Sequence, residues 1–263
     1  MKISIVTISF NQRIYLSQAI ESVLLQGFRE LEYIVVDPGS SDGSRDLIRT
    51  YSYGISQMIF EPDRGPSDGL NKGFSRASGE VFGFVNADDA LAPASLQRVA
   101  DFFQQHPGCD LIFGNGYVID ESGRQLYHVR SRDFTVGRYL HGGTRFLQQS
   151  TFFRRTAFDR AGGFNVSNHT CWDGELFVRM VKSGAAVEYI DADLAAFRLH
   201  PASISGSRKN QRAYQIECHR IFRDLQGRDW SAKDELLRFA YRAEGVLNGG
   251  GRRRFATFWR GNR

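Results

Sequence analysis

Short apolar runs alternate with segments of helical period over residues 1–105. The run ISIVTISF is followed by IYLSQAIESVLL, in which apolar residues recur at spacings of three and four. Further apolar runs, LEYIVV, SQMIF and EVFGFV, are separated by helical segments. Strands and helices that alternate in this way form right-handed crossovers between parallel strands. The sequence therefore predicts an α/β fold with a Rossmann-like, mostly parallel sheet and helices on both faces.

Polar clusters follow each of the four predicted strands. They read ISFN, DPGSSDGS, EPDRGPSDG and NADD in chain order. In open parallel sheets the ligand crevice lies outside the carboxyl ends of the strands, where these clusters converge. The first strand is not followed by GxGxxG, and no GxxxxGK[ST] motif occurs, so dinucleotide and P-loop sites are not indicated.

The stretch GFVNADDALAP places two adjacent carboxylates, Asp88 and Asp89, at the end of an apolar strand. Adjacent carboxylates repel one another unless a proton, a cation or hydrogen-bond donors offset the repulsion. The pair therefore predicts a ligand or solvent at this position. The alternative is a polar turn whose aspartates cap the next helix.

Composition and cysteine usage are those of an ordinary globular chain, with 41% hydrophobic and 24% charged residues. Three widely spaced cysteines, an odd number, argue against a disulfide framework and a CxxC zinc site. No apolar run reaches membrane-spanning length, and the start MKISIVTISFNQ is too short and too β-like for a signal peptide. We expect a cytoplasmic protein.

The net charge of +5 is concentrated towards the segment GRRRFATFWRGNR. Arginines and aromatic residues interleave there, which favours an amphipathic element that contacts an anionic membrane peripherally, at the inner face. The alternative is a solvated basic end. No nucleic-acid-binding motif accompanies the charge, so no nucleic-acid partner is expected.

The collinear order VTISFNQ, IVVDPGSSDGS and EPDRGPSDGLNKGFSRASGEVFGFVNADD resembles the nucleotide-sugar-binding half of family 2 glycosyltransferases with the GT-A fold, especially bacterial polysaccharide-assembly members. The resemblance extends over residues 2–200. It implies an inverting transferase that uses a UDP-, GDP- or dTDP-linked sugar and a divalent cation, Mn²⁺ or Mg²⁺. The acceptor would be a hydroxyl of a glycan, a lipid-linked or another molecule.

The resemblance also implies an organisation of the chain. Residues 1–105 would bind the nucleotide-sugar, and residues 106–207 would form the acceptor-binding and catalytic half of the same domain. Residues 208–263 would be a C-terminal helical, basic extension.

The resemblance assigns donor contacts to the strand ends. NADD is a variant DxD motif, in which Asn86 replaces the commoner Asp, Asp89 would contact the metal, and Asp88 would hold the ribose or a metal-bound water. His200 in FRLHPASIS would contact the diphosphate or metal, unless it is a structural loop residue. The predicted donor-binding residues are Thr7, Ser9, Asp37, Arg64, Asn71, Lys72 and Asp88.

Three of these donor assignments have structural alternatives. Asp37 would contact the base, although Asp-Pro-Gly commonly starts a turn. Arg64 could be a surface charge, and Lys72 a solvent-side lysine.

The helical segment CWDGELFVRMVKSG carries the predicted base, Asp173, in its first turn, where the helix dipole favours the ionised form. One carboxylate suffices for an inverting transfer, because it only removes the proton of the acceptor hydroxyl. The family's Glu-Asp motif appears here as Trp172-Asp173, so Trp172 could stack on an acceptor sugar. Glu175 is the second choice for the base and a predicted acceptor contact. Asp173 could otherwise be only a helix N-terminal charge.

Two hypotheses follow. The leading one is a metal-dependent, inverting glycosyltransferase, which the presence of Asp89 and Asp173 favours. The other is a non-catalytic nucleotide-sugar-binding member of a polysaccharide assembly complex, which the departures at Asn86 and Trp172 favour.

Overall fold

The computed structural model describes residues 1–131, 134–201, 203 and 211–247 of the 263-residue chain. The basic segment 252–263, to which the sequence analysis assigns a membrane contact, lies outside these residues. Among the helices of the described ranges, none combines the length and the apolar content required to cross a membrane.

The described residues form nine strands in one sheet. The strands are β1 (Ile3–Ile8), β2 (Leu31–Val36), β3 (Gln57–Ile59), β4 (Val81–Asn86), β5 (Ala90–Leu91), β6 (Leu111–Ile119), β7 (Gln125–Val129), β8 (Thr151–Arg154) and β9 (Val187–Arg198). The helices are α1 (Arg13–Leu24), α2 (Ser44–Thr50), α3 (Pro66–Ser75), α4 (Ser95–Gln105), α5 (Val136–Leu140), α6 (Arg155–Ala161), α7 (Trp172–Lys182), α8 (Gln211–Gln226) and α9 (Ala232–Leu247). A 3-10 turn, Gln148–Ser150, precedes β8.

The strand order is β3-β2-β1-β4-β8-β6-β9-β5, with β7 paired to β6. The first four strands are parallel to one another, as the alternation of strands and helices predicts. The strand β8 lies antiparallel between β4 and β6, and β6 is parallel to β9. The prediction of a mostly parallel sheet is confirmed. Antiparallel pairs occur where the second half of the chain joins the first, at β4–β8 and β5–β9, and within the second half, at β6–β7 and β6–β8.

Side chains alternate between two cores, one on each face of the sheet. Val6 and Val36 point into a core that α3, α6 and α7 cover. Ile5 and Val35 point into the opposite core, which is covered by α1, α2 and α4. Strands buried on both faces read as continuous apolar runs, which explains sequences such as LEYIVV.

The helix α3 lies close to the sheet because residue 73 is glycine. A Cβ at Gly73 would come within 2.5 Å of Cγ1 of Val6. Phe74, the next residue, stacks on Phe82 of β4 with ring centroids 4.7 Å apart. These contacts hold α3 against the sheet, and its N-terminus, which follows β3, lies at the carboxyl edge.

The described part of the predicted extension 208–263 contains α8 and α9, and the extension as a whole stays a prediction. Ile221 and Phe222 of α8 are buried. The helix α9 is attached to the segment of α5 by ion pairs, with His141 Nε2 lying 3.0 Å from Asp234 and Arg138 lying 3.0 Å from Glu244. The sheet also joins the two predicted halves, because β9 pairs with β5, so their division remains a prediction about function.

Candidate functional site

The carboxyl ends of the parallel strands meet in register. Ile8 pairs with both Val36 and Asn86. The ladder continues beyond the strands, since Ser9 N donates to Val36 O (2.9 Å) and Ala87 N donates to Ile8 O (3.1 Å). The polar segments after β1, β2 and β4 therefore lie side by side.

Asp88 forms a pair with His200 at this edge. Oδ2 of Asp88 lies 2.9 Å from Nε2 of His200, and their side chains are 15% and 3% exposed. The imidazole ring lies against Tyr15 of α1, with ring centroids 4.9 Å apart. The loop after β9 thus brings an imidazole to the NADD element.

Asp89 has a different environment from Asp88, and its metal contact stays a prediction that this environment does not favour. The residue is 1% exposed. Its Oδ2 accepts hydrogen bonds from Asn86 Nδ2 (3.0 Å) and Gln149 Nε2 (2.6 Å), and its Oδ1 accepts one from Arg198 N (2.9 Å). Burial, together with the charge of Asp88, raises the pKa of Asp89 well above its usual value. Asp89 is therefore buried and held in place by hydrogen bonds, and the more exposed Asp88 is the better placed carboxylate for a ligand.

Gln149 and Arg198, which the sequence analysis did not assign, donate two of the hydrogen bonds to Asp89. Gln149 lies in the 3-10 turn before β8, and Arg198 is the last residue of β9. They lie in FLQQS and FRLH, where polar residues stand at the ends of strands. This position is the signal by which the sequence could have indicated them. Their partners are 60 and 109 residues away along the chain, which the local pattern does not reveal.

Two buried polar atoms at the edge have no hydrogen-bond partner. They are Oγ of Ser9 and Oδ1 of Asn86. A buried polar atom without a partner costs free energy, so such atoms often indicate a missing ligand or water. Ser9 thus keeps its predicted role, whereas the Oγ1 of Thr7 is fully buried and accepts a hydrogen bond from the hydroxyl of Tyr33 at 3.0 Å. Thr7 is a structural residue of the sheet.

The carboxylate of Asp37 is fully buried in its own loop. Its Oδ1 accepts hydrogen bonds from Gly39 N (3.0 Å), Ser40 N (2.8 Å) and Arg45 Nε (3.1 Å), and its Oδ2 accepts one from Ser40 Oγ (2.6 Å). This is the turn that Asp-Pro-Gly commonly starts. Contact between this carboxylate and a base would require the loop to open.

Arg64 and Lys72 lie near the start of α3. The side chain of Arg64 is 73% exposed and is 3.5 Å from Asp68, which is 3.4 Å from Lys72 Nζ. Lys72 also donates to the carbonyl of Pro62. Both cations remain predicted donor contacts, with Arg64 the freer of the two.

The side chain of Asn71 is engaged within the protein, so its donor contact stays a prediction that these bonds do not favour. Its Nδ2 donates to the carbonyl of Phe164, and its Oδ1 accepts from the amide of Phe164, both at 2.9 Å. The side-chain amide therefore attaches α3 to the Gly-Gly-Phe turn.

Asp173 lies in the first turn of α7, which reaches the same edge of the sheet. The loop before α7 touches the start of α3, where Ser67 Oγ donates to Asn168 O at 2.9 Å. The half-buried carboxylate of Asp173 accepts a hydrogen bond from Gly174 N (2.8 Å). Burial raises its pKa, which opposes the effect of the helix dipole on this carboxylate.

Glu175 is anchored by protein donors, so its roles as second-choice base and acceptor contact stay predictions that its environment does not favour. The residue is 5% exposed. Its carboxylate accepts hydrogen bonds from Asn165 (2.9 Å), Asn168 (2.7 Å) and Arg220 of α8 (2.7 Å). Burial alone would raise its pKa, but these donors outweigh burial and lower it. A carboxylate with three protein donors is a poor proton acceptor.

The ring of Trp172 packs in the core and is 8% exposed, so the predicted stacking on an acceptor sugar is not supported. Its Nε1 is buried without a partner. Burial of the indole next to Asp173 excludes water from that part of the helix end.

The residues present fit a divalent cation at Asp88 and His200. The described ranges contain no cluster of three or more His, Cys, Asp or Glu side chains that could hold a metal alone. Mg²⁺ and comparable cations in nucleotide sites use one or two protein ligands, and phosphate oxygens and waters complete the shell. The carboxylate oxygen of Asp88 and the ring nitrogen of His200, which share a hydrogen bond at 2.9 Å, are the two atoms that could serve as such ligands.

The family model for glycosyl transferase family 2 matches residues 4–166. An uncharacterized glycosyltransferase of Nostoc sp. is 38% identical over 215 residues, which are 77% of this chain and 66% of the relative. A PGL/p-HBAD biosynthesis glycosyltransferase of Mycobacterium tuberculosis is 27% identical over 199 residues, 74% of this chain and 75% of the relative. The aligned part is only 35% of a Rickettsia conorii relative.

Two groups of solved structures have the same fold. S. aureus TarS 1-349 in complex with UDP-GlcNAc aligns with a TM-score of 0.66 and 18% identity, over 79% of this chain and 61% of that chain. The mannosyltransferase PcManGT from Pyrobaculum calidifontis, in complex with GDP-Man and Mn²⁺, aligns with a TM-score of 0.66 and 14% identity, over 94% and 69%. The predicted GT-A fold is confirmed. With a family model over most of the sheet and a carboxyl edge that gathers the NADD element, this chain belongs to glycosyl transferase family 2.

Proposed function

We propose that this protein transfers a sugar from a nucleotide-sugar to an acceptor hydroxyl with inversion at the anomeric carbon. The observation that carries the proposal is the pair of Asp88 and His200, 2.9 Å apart at the carboxyl edge of β4. The unpartnered polar atoms of Ser9 and Asn86 lie at the same edge. Together these groups form a candidate donor site, in which a ligand would supply the missing hydrogen-bond partners of Ser9 and Asn86.

The donor is a UDP-, GDP- or dTDP-linked sugar. This range is supported by family membership and by the UDP-GlcNAc and GDP-Man complexes of the two structural relatives. Ser9 and Arg64 are the candidates for contact with the nucleotide. Lys72, which already contacts Asp68 and Pro62, would approach the diphosphate after a change of rotamer.

Asp88 and His200 would hold the divalent cation, Mn²⁺ or Mg²⁺. A cation there supplies charge neutralisation for the departing nucleoside diphosphate. Asp89 keeps its three hydrogen bonds and so holds Asp88 at the end of β4. The structural relative PcManGT was solved with GDP-Man and Mn²⁺, which supports this choice of cofactor.

Asp173 accepts the proton of the acceptor hydroxyl. Its carboxylate makes no ion pair in the described residues and is partly exposed. Burial raises the pKa of Asp173, which makes its carboxylate a stronger base than that of a solvated aspartate. Because inversion needs a single displacement, no second carboxylate is required.

The acceptor is a glycan, a lipid-linked or another hydroxyl-bearing molecule, and polysaccharide assembly is the proposed setting. The name of the mycobacterial relative connects that protein with PGL/p-HBAD biosynthesis. A cytoplasmic location, with peripheral membrane contact through residues 252–263, remains a prediction from the sequence.

Thermal unfolding with a panel of nucleoside diphosphates tests the proposal. UDP, GDP and dTDP are each added with Mn²⁺ and with EDTA, and one of them should raise the melting temperature more with Mn²⁺ than with EDTA, because a ligand that binds the native state stabilises it. No shift with any nucleotide would contradict the proposal. Binding without transfer to any acceptor would favour the non-catalytic alternative.

A further inference from the structure

The guanidinium of Arg198 is buried at the junction of four parts of the structure. The residue is 1% exposed. Its Nε donates to Asp88 O (2.9 Å), and its Nη1 donates to Asp120 O (2.9 Å) and Glu121 O (3.1 Å) in the β6–β7 turn. Its Nη2 donates to Oε1 of Gln18 of α1 at 2.6 Å.

The plane of the guanidinium also contacts α1. The Cζ atom of Arg198 lies 4.9 Å from the ring centroid of Tyr15. The other neighbour of the Tyr15 ring is His200, at 4.9 Å between ring centroids. Arg198 and His200 therefore share one aromatic support.

The main chain of Arg198 completes the arrangement. Its amide donates to Oδ1 of Asp89 (2.9 Å), and its side chain binds the carbonyl of Asp88. Two residues later, His200 reaches Oδ2 of Asp88. One residue thus contacts both aspartates of the NADD element and sets the start of the loop that carries His200.

We infer that Arg198 is a positioning residue that fixes Asp88 and His200 at the spacing needed to bind a divalent cation together with a nucleoside diphosphate. This inference rests on the proposed function. Arg198 acts through Asp88 and His200 and does not touch the donor.

Burial of a charged guanidinium among carbonyl oxygens is costly, and only several hydrogen bonds at once can offset the cost. A lysine keeps the charge, but its single ammonium cannot bind Asp88, Asp120 and Gln18 simultaneously or stack on Tyr15. The Arg198→Lys variant should therefore keep the positive charge but hold Asp88 and His200 less firmly at their spacing.

The first measurement needs no ligand. Hydrogen exchange of wild type and Arg198→Lys is compared, and amides 88–90 and 198–200 should exchange about tenfold faster in the variant, while amides in β1 and β2 stay protected because local opening is confined to the unbraced loops. Arg124→Lys is the matched control, since Arg124 reaches the same turn from solvent, 78% exposed and 3.0 Å from Asp120.

The second measurement is calorimetry of the nucleoside diphosphate with Mn²⁺ and with EDTA. Loss of an outer support of a metal site weakens metal affinity by about 10 to 100-fold, so Arg198→Lys should lose most of the gain in affinity that Mn²⁺ gives. Affinity in EDTA should stay within about twofold of wild type, since Arg198 does not contact the donor. A purely structural role would lower both affinities together.

The inference would be overturned if Arg198→Lys left hydrogen exchange at amides 88–90 unchanged or increased it over the whole sheet. It would also be overturned if the variant kept the gain in nucleotide affinity that Mn²⁺ gives. If Arg198→Lys fails to fold, Gln18→Ala decides, because Gln18 is exposed and its loss frees one donor of Arg198. It should reduce the Mn²⁺ gain by about threefold, and full retention would overturn the inference. If wild type shows no Mn²⁺ gain, the proposed function fails, and hydrogen exchange still decides whether Arg198 braces the two loops.

Discussion

Nε2 of His200 lies 2.9 Å from Oδ2 of Asp88, across 112 residues of sequence. The neighbouring Asp89, by contrast, is held by three protein donors and is almost completely buried. Two adjacent carboxylates therefore have different roles. The protein offsets the repulsion between them by burying one among donors and pairing the other with an imidazole.

Replacement of Asp173 by Asn should separate binding from turnover. Loss of a positioned general base lowers turnover by about 10² to 10⁴-fold, whereas affinity for the nucleotide-sugar should be unchanged because Asp173 does not hold the donor. Steady-state transfer and calorimetric donor affinity measure the two effects. Wild-type turnover in this variant would remove Asp173 from the mechanism.

The same variant should be more stable than wild type at neutral pH. The pKa of Asp173 is raised above 3.8 by burial, so the native state binds the proton more tightly than the unfolded state does, and stability falls as pH rises through the raised pKa. Asn carries no such penalty. Urea unfolding at pH 4 and pH 7 should show that Asp173→Asn raises the free energy of unfolding, and raises it more at pH 7. A variant that is no more stable than wild type at pH 7 would contradict the assignment.

Replacement of Glu175 by Gln should destabilise the protein. Gln would place an amide donor against Asn165, Asn168 or Arg220, which now donate to the carboxylate, at a cost of about 1–3 kcal/mol. Because hydrogen bonds outweigh burial and lower the pKa of Glu175 below 4.5, this contribution is present above pH 4.5 and is lost as pH falls further.

The control for Glu175 is Glu217→Gln, which removes another partner of Arg220 on α8, 2.8 Å away. A partly exposed pair of this kind contributes about 0.5 kcal/mol. Urea unfolding of both variants should show a clear loss only for Glu175→Gln, and equal effects would count against an anchoring role.

An alanine at position 174 should disturb the support of Asp173. A Cβ at Gly174 would come within 2.5 Å of Cζ of Tyr139, whose ring belongs to α5. Overpacking of this kind costs about 1–3 kcal/mol, and the displaced ring should also lower turnover. Gly137→Ala, on the same helix α5 with nothing within 4 Å of the added Cβ, should be neutral in both assays, and equal effects of the two variants would contradict the packing explanation.

The sequence predicts the first part of the fold well because its signals are local. Continuous apolar runs followed by polar clusters identify β1 to β4, and the crevice rule for parallel sheets then places the NADD element correctly at the carboxyl edge. The strand β8 is harder to place, since it has four residues and pairs with β4 and β6 far away in sequence.

The roles of individual site residues depend on contacts that the local sequence does not contain. The distinction between Asp88 and Asp89 follows from Gln149, Arg198 and His200, which arrive from later parts of the chain. Glu175 looks like a candidate base until Arg220 of α8 is seen beside it. Burial, rather than residue type, decides these assignments.

The central claim is that Asp88 and His200 bind the cation that couples to nucleoside diphosphate binding. The most direct measurement is calorimetric affinity for the nucleoside diphosphate, with Mn²⁺ and with EDTA, in wild type, Asp88→Asn and Asp89→Asn. The account predicts that Asp88→Asn loses the Mn²⁺-dependent gain with little change in melting temperature, whereas Asp89→Asn lowers the melting temperature because its new amide faces the donors of Asn86 and Gln149. Retention of the full gain in Asp88→Asn, with loss of the gain in a normally stable Asp89→Asn, would contradict the account and make Asp89 the metal ligand.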